Sequence, residues 1–154
     1  MSRLINLGCG VADVYHRYHE IHGAMFGAAS FRLLVDTLRG RRQNAYREYA
    51  QSLAGLRDEL ARQEPEMVAL AEEGSEKATE RAVQQALLGY LRALDQAIAA
   101  LLLIFENLQL DEAAYRDAGL DGRSRFASDK LDYDHKLSEL ERLGTRLNRL
   151  FAGY

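Results

Sequence analysis

The chain has 154 residues, 47% of them hydrophobic and 28% charged, values typical of a single globular domain rather than a disordered or collagen-like chain. Its formal net charge of −3 argues against a dedicated nucleic-acid binder, which normally carries a basic excess. The single cysteine, Cys9, excludes an intrachain disulfide framework and a metal site built from several thiolates.

Apolar residues recur at alternating steps of three and four along three long stretches of the chain. These stretches are Tyr46, Tyr49, Leu53, Leu56, Leu60, Gln63, Met67 and Leu70, then Val83, Leu87, Tyr90, Leu94, Ala97, Leu101, Ile104 and Leu108, and finally Phe126, Lys130, Tyr133, Leu137, Leu140, Gly144, Leu147 and Phe151. This period is typical of helices packed at shallow angles, and no segment alternates as a strand does. The spacing therefore predicts an all-α fold.

Turn chemistry divides the chain into four long helices. We predict helices over about 11–39, 42–73, 75–109 and 124–152, with a short extra helix in the third connection that Asp111 caps and Gly119 ends. Pro65 normally breaks a helix, but the apolar spacing continues through it, which favours one kinked helix. The short connections predict an antiparallel up-down-up-down four-helix bundle over residues 1–154. An elongated hairpin that completes its core as a dimer is the competing layout.

The first helix is apolar on two faces. Val11, Tyr18 and Met25 share the face expected in the core, and the opposite face carries Gly23, Gly27, Phe31, Leu34, Val35 and Leu38. A helix with two apolar faces must be covered on both sides. One cover is the third connection, through Leu110, Ala113, Tyr115 and Leu120. The other is a homodimer contact, for which the two glycines allow close backbone approach.

Polar and small residues interrupt the predicted core at one level. In the antiparallel layout Tyr18, Gln63 and Gly144 fall at about the same height. Gly144 would make room, and the Gln63 amide would hydrogen-bond the Tyr18 hydroxyl, because buried polar groups need partners. We interpret this trio as a device that sets the register of the helices, with a ligand pocket as the alternative.

Three of the four histidines, His16, His19 and His22, are spaced three residues apart. His16 with Asp13 or Glu20 could supply two ligands to a surface zinc ion. Metal ligands must converge on one point, however, and these side chains face different ways around the predicted helix. We therefore expect neither a metal nor a cofactor.

The segment His19-Glu20-Ile21-His22-Gly23 resembles the region around the phosphorylated histidine of histidine phosphotransfer domains, which are also four-helix bundles. The resemblance covers about ten residues, and His22 stands where that family carries a lysine. It implies that His19 is the phosphoacceptor. It further implies that Ile21 packs behind His19 and that Gly23 leaves room for a partner's aspartate.

The sequence also bears on location. The longest apolar run, Ala97 to Phe105, has nine residues, whereas a membrane span needs about 20. No apolar segment of a secretory signal follows Arg3. We expect a cytoplasmic, bacterial-type protein without a membrane span, and a small buried or terminal thiol at Cys9 rather than a nucleophile.

The predicted function is a non-enzymatic interaction or assembly protein, an adaptor or scaffold that binds a protein partner or itself through helix surfaces. Gly23, Gly27, Phe31, Leu34 and Leu38 are the predicted contact residues. The first alternative is a phosphotransfer module with His19 as acceptor. The second is a bundle that holds a small ligand or a metal near His22.

Overall fold

The computed structural model describes residues 2–27, residue 40 and residues 42–153. Within these residues there are four α-helices, α1 (Ser2–Phe26), α2 (Arg42–Glu73), α3 (Ala78–Arg116) and α4 (Arg125–Ala152), and no strand. Every residue of the three predicted apolar stretches is buried or half-buried. The prediction of an all-α four-helix bundle is therefore confirmed.

Ion pairs between neighbouring helices show the antiparallel order. Arg3 near the start of α1 pairs with Glu73 at the end of α2, N to O 3.2 Å. Arg17, further along α1, pairs with Glu59, earlier in α2. The pairs Arg57–Asp95 and Arg92–Glu64 run in the same sense between α2 and α3, which agrees with the predicted up-down topology.

The central element of the core is α3, which packs against all three other helices. Leu94, Ala97, Ile98 and Leu101 are 0% exposed, and each buried leucine or isoleucine contributes about 1.5–3 kcal/mol. Among the described helices, α3 alone is long and apolar enough to cross a membrane by length and composition, since it contains an 18-residue window with a mean hydropathy of 1.6. Half of that apolar window is buried inside the bundle, as the central helix of a core requires. The absence of a membrane span stays a prediction.

Helix α1 begins at Ser2, so the predicted start near residue 11 is wrong. Its buried stripe extends backwards through Leu7 and Leu4, which are 6% and 1% exposed. A glycine inside a helix costs about 1 kcal/mol relative to alanine. The burial of these two leucines offsets the cost of Gly8 and Gly10. The predicted continuation over 28–39 lies outside the described residues.

Helix α2 has the predicted bounds and continues through Pro65, which confirms one helix rather than two. Gly74 follows its end with a φ of 67°, a left-handed conformation that glycine adopts without steric cost. Helix α3 begins at Ala78 rather than at 75. The reason is local: the Ser75 hydroxyl accepts the Lys77 N–H at 3.2 Å and donates to Glu80, so Ser75 forms a turn.

The predicted short helix in the third connection is present as a continuation of α3. Asp111 leaves the helical conformation, with φ −156° and ψ 89°, and its Oδ1 accepts the Ala114 N–H at 3.1 Å. Asp111 therefore caps the segment, as predicted, but the segment ends at Arg116 rather than at Gly119. At the start of α4, the Ser124 hydroxyl accepts the Ala127 N–H at 3.0 Å and acts as the N-cap.

Candidate functional site

A groove separates the first and last helices of the bundle. No Cα of α1 lies within 8 Å of a Cα of α4, and a cavity of about 650 Å³ occupies the space between them. Leu87 and Tyr90 of α3 form its floor, with side chains of α1 and α4 as its walls. We call this cavity the α1–α4 groove.

Small residues on both walls keep the groove open. Gly8 and Ala12 of α1 and Gly144 of α4 line it. A Cβ added to Gly144 would lie 3.3 Å from Cε2 of Tyr90, which is tighter than ordinary van der Waals contact. Gly144 therefore makes room for the Tyr90 ring, and the prediction that it makes room beside Gln63 and Tyr18 is wrong.

Two tyrosines join α1 and α4 where the groove ends. The Tyr18 and Tyr133 hydroxyl oxygens are 2.5 Å apart, and Nδ1 of His22 is 2.6 Å from the Tyr133 oxygen. Both tyrosines are 0% exposed. We call Tyr18, Tyr133 and His22 the Tyr–Tyr–His bridge, because its hydrogen bonds connect helices whose backbones do not meet.

The predicted hydrogen bond between Gln63 and Tyr18 is absent, and that prediction is wrong. The Gln63 amide lies against Gly10, where an added Cβ would be 3.1 Å from Nε2, and its buried Oε1 has no partner among the described residues. Gly10 precedes Tyr18 by eight residues, so Gln63 lies about 12 Å, just over two helical turns, from the level of Tyr18. The register of α1 on α2 therefore keeps the Gln63 amide away from the Tyr18 hydroxyl.

The bridge is neutral at pH 7. Burial raises the pKa of Tyr18 to about 12, and burial also raises the pKa of Tyr133. The pKa of His22 is lowered, first by burial and then by the nearby His19 and Lys130 charges. All three polar groups are satisfied when the Tyr18 O–H donates to the Tyr133 oxygen and the Tyr133 O–H donates to Nδ1 of neutral His22.

The predicted phosphoacceptor, His19, is exposed beside the bridge. Its ring stacks on Tyr15, with centroids 5.6 Å apart, and on His22 at 6.0 Å. Ile21 is buried, and a Cβ at Gly23 would meet nothing within 4 Å. Phosphorylation of His19 stays a prediction.

The remaining histidine side chains do not gather into a metal site. Among the described residues, no three His, Cys, Asp or Glu side chains are placed to hold a metal ion. Asp13 pairs with Arg17 at 2.8 Å, and the His16 ring meets the edge of Tyr15. Cys9 is exposed on the rim of the groove.

The predicted dimer contact is described only in part. Gly23 and Gly27 are half-buried at the end of α1, whereas Phe31, Leu34, Val35 and Leu38 lie outside the described residues. Leu110, Ala113 and Leu120 of the third connection are exposed, so the prediction that these three residues cover the first helix is wrong. Leu110 and Leu120 are 83% and 112% exposed. Tyr115 packs on Phe126 of α4, with ring centroids 5.7 Å apart.

No family model, curated protein or solved structure matches the chain. The sequence analysis did not predict the α1–α4 groove. Its signal was Gly8 and Ala12 four residues apart on the first helix, opposite Gly144 on the last. Such small residues are compatible both with close packing of two helices and with a groove between them, so the sequence alone did not distinguish these arrangements.

Proposed function

We propose that this protein is a non-enzymatic binding protein and that the α1–α4 groove takes an elongated, largely apolar small molecule. The observation that carries the proposal is the size and place of the groove. Its volume of about 650 Å³ falls within the range of about 300–1,000 Å³ usual for ligand pockets. Gaps between the helices of a bundle are common places for such sites.

The lining has the polarity of a ligand site. Leu87, Leu140 and Leu147 are buried and turn their side chains to the groove. Thr145 and Asn148 are exposed and line it from α4. An apolar interior with a few polar groups at the rim buries the body of a ligand and orients its polar end.

The Tyr–Tyr–His bridge supports binding rather than catalysis. Its hydrogen bonds are made within the protein, and the neutral tyrosines have pKa values raised well away from pH 7. General acid–base catalysis works best with a group whose pKa lies near the working pH. We interpret the bridge as the element that holds α1 and α4 at the spacing of the groove.

Blocking the groove tests the proposal. We expect the neutral dye N-phenyl-1-naphthylamine to bind the wild-type chain saturably, one molecule per chain, with a rise in fluorescence. Ala12→Trp should reduce this binding at least tenfold, because Ala12 is an exposed wall residue and an indole there would fill the groove. Thr145→Trp, from the opposite wall, should have the same effect.

The matched control is Gln51→Trp, which adds the same side chain at an exposed position of α2 outside the groove. It should leave the affinity of the dye unchanged. Circular dichroism would confirm that each variant is helical. Equal binding by all three variants, or no saturable binding to the wild type, would contradict the proposal.

Self-assembly through the first helix is a second candidate function, and one observation favours it. The third connection leaves Leu110, Ala113 and Leu120 exposed rather than packed on α1. Of the predicted contact residues on the second apolar face of the first helix, Gly23 and Gly27 are described at the end of α1, and Phe31, Leu34 and Leu38 lie outside the described residues. A helical interaction protein that forms a homodimer through this face remains a proposal.

Light scattering tests this second candidate. The wild-type chain should have the mass of a dimer, and Phe31→Glu or Leu34→Glu should convert it to a monomer, because a carboxylate at an apolar contact loses its hydration. Leu131→Glu is the control, since Leu131 is 54% exposed on α4. A monomeric wild type, or dimeric Glu variants, would show that this face is not the contact.

A further inference from the structure

We infer that the α1–α4 groove is selective for amphiphilic organic cations, with the cationic group at the end formed by Tyr15, Tyr90 and Glu141 and the apolar tail directed toward Ile5 and Phe151. This inference rests on the proposed function, that the groove binds a small molecule. It adds the chemical class and the orientation of that molecule.

The charge of the groove is the first argument. Among the described residues that line the groove, Glu141 is the one with a formal charge at pH 7, counting histidine as neutral. In the described part of the chain, no Arg or Lys lies within ion-pair distance of its carboxylate. The next residue, Arg142, lies outside the lining and pairs with Glu139 at 2.6 Å. The groove therefore presents an unpaired negative charge.

This charge lies at one end of the groove. Glu141 is close enough to Tyr18 that its charge adds to the rise of the Tyr18 pKa, of which burial is the main cause. Tyr18 belongs to the Tyr–Tyr–His bridge, where the groove ends. Along α1, the lining runs from His16 back to Ile5, about 16 Å at 1.5 Å per residue. A ligand with its charge near Glu141 thus has this length available for its tail.

Two aromatic rings stand at the same end. Tyr15 and Tyr90 both line the groove, with centroids 6.4 Å apart and planes inclined by 54°. Burial raises the pKa of Tyr90, so its phenol is neutral. An organic cation within about 6 Å of such a ring is attracted by the negative face of the π-system. Inclined rings beside a carboxylate have the chemistry that recognises an alkylammonium group.

The rest of the lining suits an alkyl or aryl tail. Leu87 and Leu147 are buried along the groove, and Phe151 and Ile5 lie at its far end. None of these side chains carries a polar group. An anionic amphiphile of the same length would gain the same apolar contacts, but its head group would be repelled by Glu141.

The test compares three ligands with the same tail by titration calorimetry below their micellar concentrations. We expect decyltrimethylammonium to bind most tightly, decanol more weakly and decanoate most weakly. Glu141→Gln should weaken binding of the cation about fivefold, the size of a single exposed charge interaction. The same variant should leave the affinity for decanol unchanged. Glu66→Gln, the same change at an exposed position of α2 outside the groove, is the control.

Tyr90→Leu provides a second variant, because it removes the aromatic face and keeps an apolar floor. It should weaken binding of the cation more than binding of decanol. If decanol and decanoate bind as tightly as the cation and Glu141→Gln changes nothing, the inference is overturned while the groove remains a ligand site. If none of the three binds, the proposed function itself fails.

Discussion

Tyr133→Phe is expected to lower the free energy of unfolding by about 1–3 kcal/mol, the cost of leaving buried polar groups without partners. The Tyr133 hydroxyl lies within hydrogen-bond distance of both the Tyr18 hydroxyl and Nδ1 of His22. Tyr18 is 0% exposed, so water does not replace the lost partner. Tyr133→Ala should cost about 3–5 kcal/mol, because it also leaves a cavity the size of an aromatic ring.

Urea unfolding followed by circular dichroism would measure these losses, and Tyr90→Phe is the matched control. The Tyr90 hydroxyl has no hydrogen-bond partner within the described ranges, and its ring contacts Tyr15. Its removal should therefore change stability by less than about 0.5 kcal/mol. A loss for Tyr133→Phe no greater than that of Tyr90→Phe would show that the bridge does not stabilise the bundle.

The double variant Tyr18→Phe/Tyr133→Phe isolates the contact between the two hydroxyls. Replacing both partners of a buried hydrogen bond costs less than leaving one unsatisfied. The double variant should therefore be more stable than the sum of the single losses predicts, by about 0.5–3 kcal/mol. Additive losses would show that the two hydroxyl groups are not coupled.

Pro65→Ala is expected to raise the free energy of unfolding by about 2 kcal/mol. Pro65 lies inside α2 and is exposed. A proline there lacks the N–H that would donate to the Ala61 carbonyl, and its ring crowds that carbonyl, at a cost of about 3 kcal/mol. Alanine relieves this cost but makes the unfolded chain more flexible, which offsets about 0.4–1 kcal/mol.

The same urea titration measures this gain, with Glu66→Ala as the control. Glu66 is exposed next to Pro65 on the same helix, so its replacement should change stability by less than about 0.5 kcal/mol. A destabilised Pro65→Ala variant would show that the packing of α2 requires the backbone bend that proline imposes.

The buried apolar stretches of the helices were predictable because burial follows the period of the helix. Leu53, Leu94 and Leu140 each lie on a predicted apolar stretch and are no more than 1% exposed. Turn residues were predictable where the cause is local. Gly74 adopts a positive φ directly after α2, and the Ser124 hydroxyl caps α4. Neither feature depends on a distant part of the chain.

The partners of the buried polar groups were not predictable, because they depend on the rotation and register of whole helices. A shift of about two turns brings Gln63 to Gly10 rather than to Tyr18. Tyr18 instead meets Tyr133, 115 positions away. The spacing of apolar residues places a side chain on a face of its helix. It does not determine which residues of a neighbouring helix lie at the same level along the bundle.

The amino-acid sequence alone determined the helical class, the antiparallel order and the apolar seams of this protein, since these follow from helix periodicity and short connections. The tertiary structure alone decided that α1 and α4 stand apart and that the Tyr–Tyr–His bridge joins them. The physical reason is that α3 packs against every other helix, whereas α1 and α4 do not pack on each other. Helices α1 and α4 both pack on α3, and small residues such as Gly8 and Gly144 leave the space between them unfilled.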